Sequence, residues 1–203
     1  MDYTFEKLIK HSASITRDSS SILVKHWESW DDAIKTFSEF YEKLEKSPLS
    51  IARNVKMVLS TRFFNHVYSA LILVEKGLLS DAVICERSAV ESLAGYKMIC
   101  AEPELAEKYN TGKFPKPVEI RIKLEKLGYS KEAENIRDIY KTASGITHLS
   151  RDHERFSINW ETKNNGVLYI GGNSKDDDIE HMIEFLPALF HWFIMPTEKS
   201  ANN

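Results

Sequence analysis

The sequence predicts a mainly α-helical bundle of about five to seven helices with one late β-hairpin, built as a single domain over residues 1–203. Three observations predict it. Apolar residues recur at spacings of three and four through most of the chain, which is the period of a helix with one buried face. One stretch breaks that period: Phe156, Ile158 and Trp160 alternate with polar residues, and Asn164-Asn165-Gly166 then supplies a hairpin turn. With 203 residues, 42% hydrophobic and 28% charged, the chain can bury one core without a disulfide or metal staple.

The elements follow in order. Leu23, Trp27, Trp30, Ile34, Phe37, Tyr41 and Leu44 form a heptad stripe within the first forty-six residues. Ser29 with Asp32 reads as a capping box and places a helix break there, with Asp31 and Asp32 at the positive end of the new helix. The aromatic members of the stripe have core spacing, so they read as packing rather than base stacking. Ser47-Pro48 ends the segment. From about Ser50 to Glu75, Val55, Val58, Leu59, Phe63, Val67, Ala70, Leu71 and Val74 make a helix apolar on much of its circumference. Such a helix is expected at the bundle centre, with Gly77 as its stop.

A helix from Ser80 to about Ala101 follows after a short turn and pairs antiparallel with the one before it. Its Ser88, Ser92 and Gly95 let a neighbour come close. Pro103 to Tyr109 reads as a short extra helix and Val118 to Leu127 as an amphipathic one closed by Gly128. Ser130 caps a helix that carries Ile136, Ile139, Tyr140, Ala143 and Ile146 and ends near His148. The hairpin occupies about 155–171. Asp176, Asp177 and Asp178 then open a C-terminal helix over about 176–195. Its tail, Phe190 to Met195, is apolar on nearly all sides, and either packs in the bundle or meets a second subunit.

Composition excludes little. A net charge of −3 and a pI near 6.2 give no global basic field to draw in nucleic acid or an anionic membrane. The N-terminus shows no basic stretch followed by an apolar one, and no window reads as a run of about 18 uncharged apolar residues. Cys85 and Cys100 lie fifteen apart in helical pattern, about 22 Å along one helix, and cannot bridge if they share it. Reduced thiols and a cytoplasmic location without membrane contact are the expectation. No phosphate-binding loop, paired-cysteine site, His-Glu-x-x-His or Gly-x-Ser-x-Gly is present, and Asp176 to Asp178 suit a helix dipole better than a cation. No cofactor or metal is expected.

Three weaker constellations remain. Arg87 and Glu91 stand one helical turn apart in a row with Ile84, Ala94 and Met98. Charges in such a row are expected to be buried and paired, either as an ion pair that fixes register or as a pocket whose guanidinium holds an anion. Arg62 and His66 are likewise one turn apart, in a row with Val55, Leu59 and Leu73. A proton-moving His beside a charge-holding Arg suits metal-independent RNA cleavage, and a His donating to a helix carbonyl suits plain structure. His148 follows Ser144 by one turn and precedes Arg151-Asp152-His153, where a helix gives way to a loop. A cation there serves the helix dipole or a functional loop equally.

The stretch ALILVEKGLLSDAVICERSAVESLAGYKMICAEPELAEKY resembles a widespread, largely uncharacterised family of bacterial helical-bundle proteins. The elements carrying the likeness are the turn at Gly77, the Arg-Ser-x-x-Glu core at Arg87, Ser88 and Glu91, and Pro103 to Glu107. YKTASGITHLS adds a Ser-x-x-x-His at Ser144 and His148, so the likeness spans about residues 50 to 150, roughly half the chain. That family's bundle is loosely similar to the HEPN superfamily of toxin and antiviral ribonucleases and non-catalytic nucleotide-binding domains. The superfamily's nuclease motif separates Arg and His by four to six residues, whereas three separate Arg62 from His66.

Two expectations follow. The first is a non-enzymatic interaction or regulatory protein, part of a bacterial defence or stress system, acting as a homodimer with possible further protein partners. The tail and the hairpin would be its contact surfaces. The alternative is a HEPN-like, metal-independent ribonuclease with RNA as partner, drawing on Arg62, His66, Arg87, Glu91 and His148.

Overall fold

A computed structural model describes residues 5–147, 158–162, 165–168 and 176–196. Among them, eight helices carry the fold: α1 (Phe5–Lys25), α2 (Trp27–Lys46), α3 (Ile51–Glu75), α4 (Leu79–Ala101), α5 (Leu105–Asn110), α6 (Pro117–Lys126), α7 (Ser130–Thr147) and α8 (Asp176–Ile194). The expected helical bundle is what the chain forms. The hairpin expected over about 155–171 falls partly outside the described residues. Within them, β1 (Ile158–Thr162) and β2 (Asn165–Leu168) pair antiparallel, with Ile158 opposite Leu168 and Trp160 opposite Gly166.

Local chemistry sets the helix ends. The Ser50 hydroxyl accepts from the Arg53 amide at 3.0 Å and starts α3. Gly77, at φ +70°, stops α3. The Leu78 amide there donates to the Leu73 carbonyl at 2.9 Å, the wrapping bond that frees the chain to reverse into α4. Pro117 occupies the first turn of α6, and the Glu119 carboxylate accepts from the Lys116 amide at 2.8 Å.

α3 and α4 form the expected antiparallel hairpin, with α5 against α3, α6 and α7 against α4, and α8 across α1, α2 and α3. The centre is α4 rather than α3. Every residue from Ser92 to Ile99 is buried, whereas Val58, Tyr68 and Ile72 of α3 reach solvent. Gly95 makes this closeness possible, because a Cβ there would stand 3.3 Å from the Leu59 side chain. Among the described helices, α3 alone has the length and apolar composition of a membrane span, though Arg62 interrupts it; its Val55, Leu59, Phe63, Val67, Ala70 and Val74 are buried in the bundle core.

The break between the first two helices falls at His26 (φ −105°, ψ 10°), three residues before the expected Ser29 cap. An aromatic cluster joins α2, α3 and α8. Phe37 of α2 lies 5.9 Å from Phe63 of α3, and 5.3 and 5.7 Å from Phe190 and Phe193 of α8. Phe190 and Phe193 are therefore part of the protomer's own core, whereas Met195 at the end of the tail is exposed.

α8 contains Pro187, which has no N–H to give to the Ile183 carbonyl one turn back. The Trp30 indole replaces it. Its Nε1 donates to that carbonyl at 3.1 Å in a buried setting, so a side chain of α2 completes the backbone ladder of α8.

Candidate functional site

Four of the five residues singled out in the sequence gather along one polar seam. On α4, Arg87 Nε lies 3.5 Å from Glu91 Oε1. The Arg87 guanidinium also sits over the Tyr140 ring of α7, with Cζ 4.2 Å from its centroid, and donates to the Tyr140 hydroxyl. On α3, exposed Arg62 donates from Nη1 to the Tyr109 hydroxyl of α5 at 3.4 Å. Half-buried His66 has its pKa held below the ordinary value, first by burial and then by the Arg62 charge, with Glu91 opposing both. Glu91 thus joins the two helices: it pairs with Arg87 and is coupled electrostatically to His66. His148, the fifth residue, lies outside the described residues; Ser144 belongs to α7.

The seam is not buried as expected. The Arg87 and Glu91 side chains keep 26% and 37% of their surface in solvent. The reason lies in the row itself: Ile84 is exposed at its start, and only Ala94 and Met98 farther along are buried. The row climbs from surface to core, and the ion pair sits on the slope. Chemically, the seam offers a guanidinium at the rim and, behind it, an imidazole biased toward the neutral, proton-accepting form. Arg87 is already engaged by a carboxylate and a ring, so an anion would have to displace Glu91 to use it.

The fully buried charges lie elsewhere on α4. The sequence reading missed them. Lys97 is completely buried and donates from Nζ to the Met195 carbonyl at the end of α8. This cation satisfies a terminal helix carbonyl and opposes the dipole there. Burial lowers the Lys97 pKa, and Glu132 of α7, itself buried, acts in the opposite direction. Glu86 is also buried, and desolvation raises its pKa to about 7. A signal was available: Lys97 is the single charged residue between Ser92 and Ala101. The rule that was applied to Arg87 finds Lys97 more directly.

A second feature lies on the opposite flank of α3. A groove of about 280 Å³ runs between α2 and α3, lined by Trp27, Ile34, Phe64, Tyr68 and Leu71 with Phe190 at its base. Trp27, Ile34 and Tyr68 are 62%, 42% and 54% exposed. The heptad stripe has split into two rows. Trp30 and Phe37 point into the core, and Leu44 packs against it; Trp27 and Ile34, seven residues apart like them, face outward. Core spacing was read correctly for one row and not for the other. No family model, curated protein or solved structure matches the chain, so the site is read from its own geometry.

Proposed function

We propose that this is a non-enzymatic helical interaction protein that acts as a homo-oligomer, with the groove between α2 and α3 receiving α2 of a second copy. One observation carries the reading: the outward row of the heptad stripe. A heptad row asks for a helix of the same period opposite it. The Trp27–Ile34 row on a second copy meets that need, and a two-fold axis lets each protomer's row serve as ligand and receptor.

Light scattering at micromolar concentration tests the proposal. The wild type is expected to run as a dimer and Trp27→Glu as a monomer with an unchanged helical circular-dichroism spectrum. Dimer affinity should fall by about thirtyfold or more, the loss of about 2 kcal/mol that a buried interfacial Trp carries. A wild type that stays monomeric at high concentration sinks the idea.

The polar seam favours a second reading, metal-independent RNA cleavage, because Arg62 stands at the rim beside a His66 that burial biases toward the neutral form. Under it, RNA incubated with the protein in EDTA is cut, and His66→Ala stops the cutting. RNA left intact by the wild type removes this reading.

A further inference from the structure

A cluster far from the polar seam has the make-up of a cation site. His26 marks the break between α1 and α2, and Glu180 and Glu184 stand one turn apart on α8, facing it. His26 Nε2 lies 3.5 Å from Glu180 Oε1 and 3.9 Å from Glu184 Oε1, and all three ligand atoms fall within 4.8 Å of one another. The nitrogen is wholly shielded from solvent, yet among the described residues it has no hydrogen-bond partner. A buried ring nitrogen normally finds one, because leaving it unpaired costs about 1–3 kcal/mol. Here it points between two carboxylates without the geometry of a bond to either.

We infer that His26, Glu180 and Glu184 form a site for a single divalent transition-metal ion, with Zn²⁺ as its representative. Metal–ligand bonds of about 2.1 Å place the ligand atoms of a four-coordinate ion about 3.4 Å apart. The nitrogen–oxygen separations of 3.5 and 3.9 Å exceed that by at most about half an ångström, a gap that small carboxylate rotations close. Three protein ligands leave a fourth position for water. The imidazole selects against Mg²⁺ and Ca²⁺, which take oxygen ligands. Glu180 and Glu184 supply the negative charge, and the helical spacing of four residues holds both on one face of α8. An ion here would tie the α1–α2 break to α8.

The test uses the full chain stripped with EDTA. Calorimetric titration with ZnCl₂ is expected to show one equivalent bound, and a hundredfold excess over Kd should raise Tm by about 5–10 °C. Co²⁺ should bind at the same stoichiometry and give visible absorption bands of a low-coordinate ion. His26→Gln and Glu184→Gln should each abolish both signals while leaving the helical spectrum intact. His181→Gln, which alters an exposed neighbour on α8, should leave them unchanged. Absence of stoichiometric Zn²⁺ binding overturns the assignment and leaves the cluster an ion pair alone. Equal stabilisation by MgCl₂ overturns it too, as does loss of binding in His181→Gln, which would make it a surface chelate.

Discussion

Replacing Glu86 with Gln is expected to make the protein more stable than the wild type at pH 8 and to leave it nearly unchanged at pH 4.5. Burial raises the Glu86 pKa from 4.5 to about 7. Below pH 4.5 the carboxyl is protonated in both the folded and unfolded chain, and burying it carries no ionic penalty. Between pH 4.5 and 7 the unfolded chain loses the proton while the folded protein keeps it. Folding then takes up a proton, so stability falls as the pH rises. Above pH 7 both states are ionised and the full penalty applies, on the order of 3 kcal/mol. Gln cannot ionise and removes the slope. Urea unfolding of both proteins at pH 4.5, 6 and 8 measures the difference, and a difference that does not change with pH refutes the account. Lys97 tilts stability the other way at alkaline pH, since burial disfavours its ammonium until the solvent passes the ordinary lysine value of 10.5. That contribution is common to both proteins and cancels.

The second large effect comes from the borrowed hydrogen bond of α8. Trp30→Phe strands the Ile183 carbonyl in a buried setting and leaves part of the indole volume empty. The expected cost is about 2–3 kcal/mol, of which an unpaired buried carbonyl accounts for at least about 1 kcal/mol. Pro187→Ala restores a backbone N–H one turn ahead of that carbonyl. In the Pro187→Ala background the penalty for Trp30→Phe should therefore shrink by about 1 kcal/mol, leaving the cavity cost. Chemical denaturation of the four proteins in the cycle gives that coupling directly. Strictly additive costs would mean that the indole packs against α8 but does not complete its ladder.

Much of the fold was legible because helix ends are local events. Ser50, Gly77, Pro117 and Gly128 act through their own backbone or the next turn, and the elements they bound agree with the expected ones to within a residue or two. Depth in the bundle was less legible. Periodicity says which side of a helix is apolar but not whether one partner or two will cover it. That is why α3 was expected at the centre and Trp27 in the core. The same limit applies to Arg87: its row was read as uniformly buried, although a helix crossing a bundle obliquely carries one row from rim to interior. The seam itself was partly legible, since Arg62–His66 and Arg87–Glu91 are each one turn apart. The pairing of Glu91 with both helices needed the α3–α4 register that Gly95 and Leu59 set. The His26 cluster was beyond the sequence, for His26 lies more than 150 residues from Glu180 and Glu184.

The burial of every residue from Ser92 to Ile99 has a dynamic consequence. Amide hydrogens in that stretch lie beyond the reach of fraying and of local openings at the surface. They can trade with solvent deuterium only when the whole molecule comes apart. Their protection factors would thus share one plateau equal to the global unfolding free energy, and that stretch would serve as an internal gauge of every substitution made elsewhere in the chain.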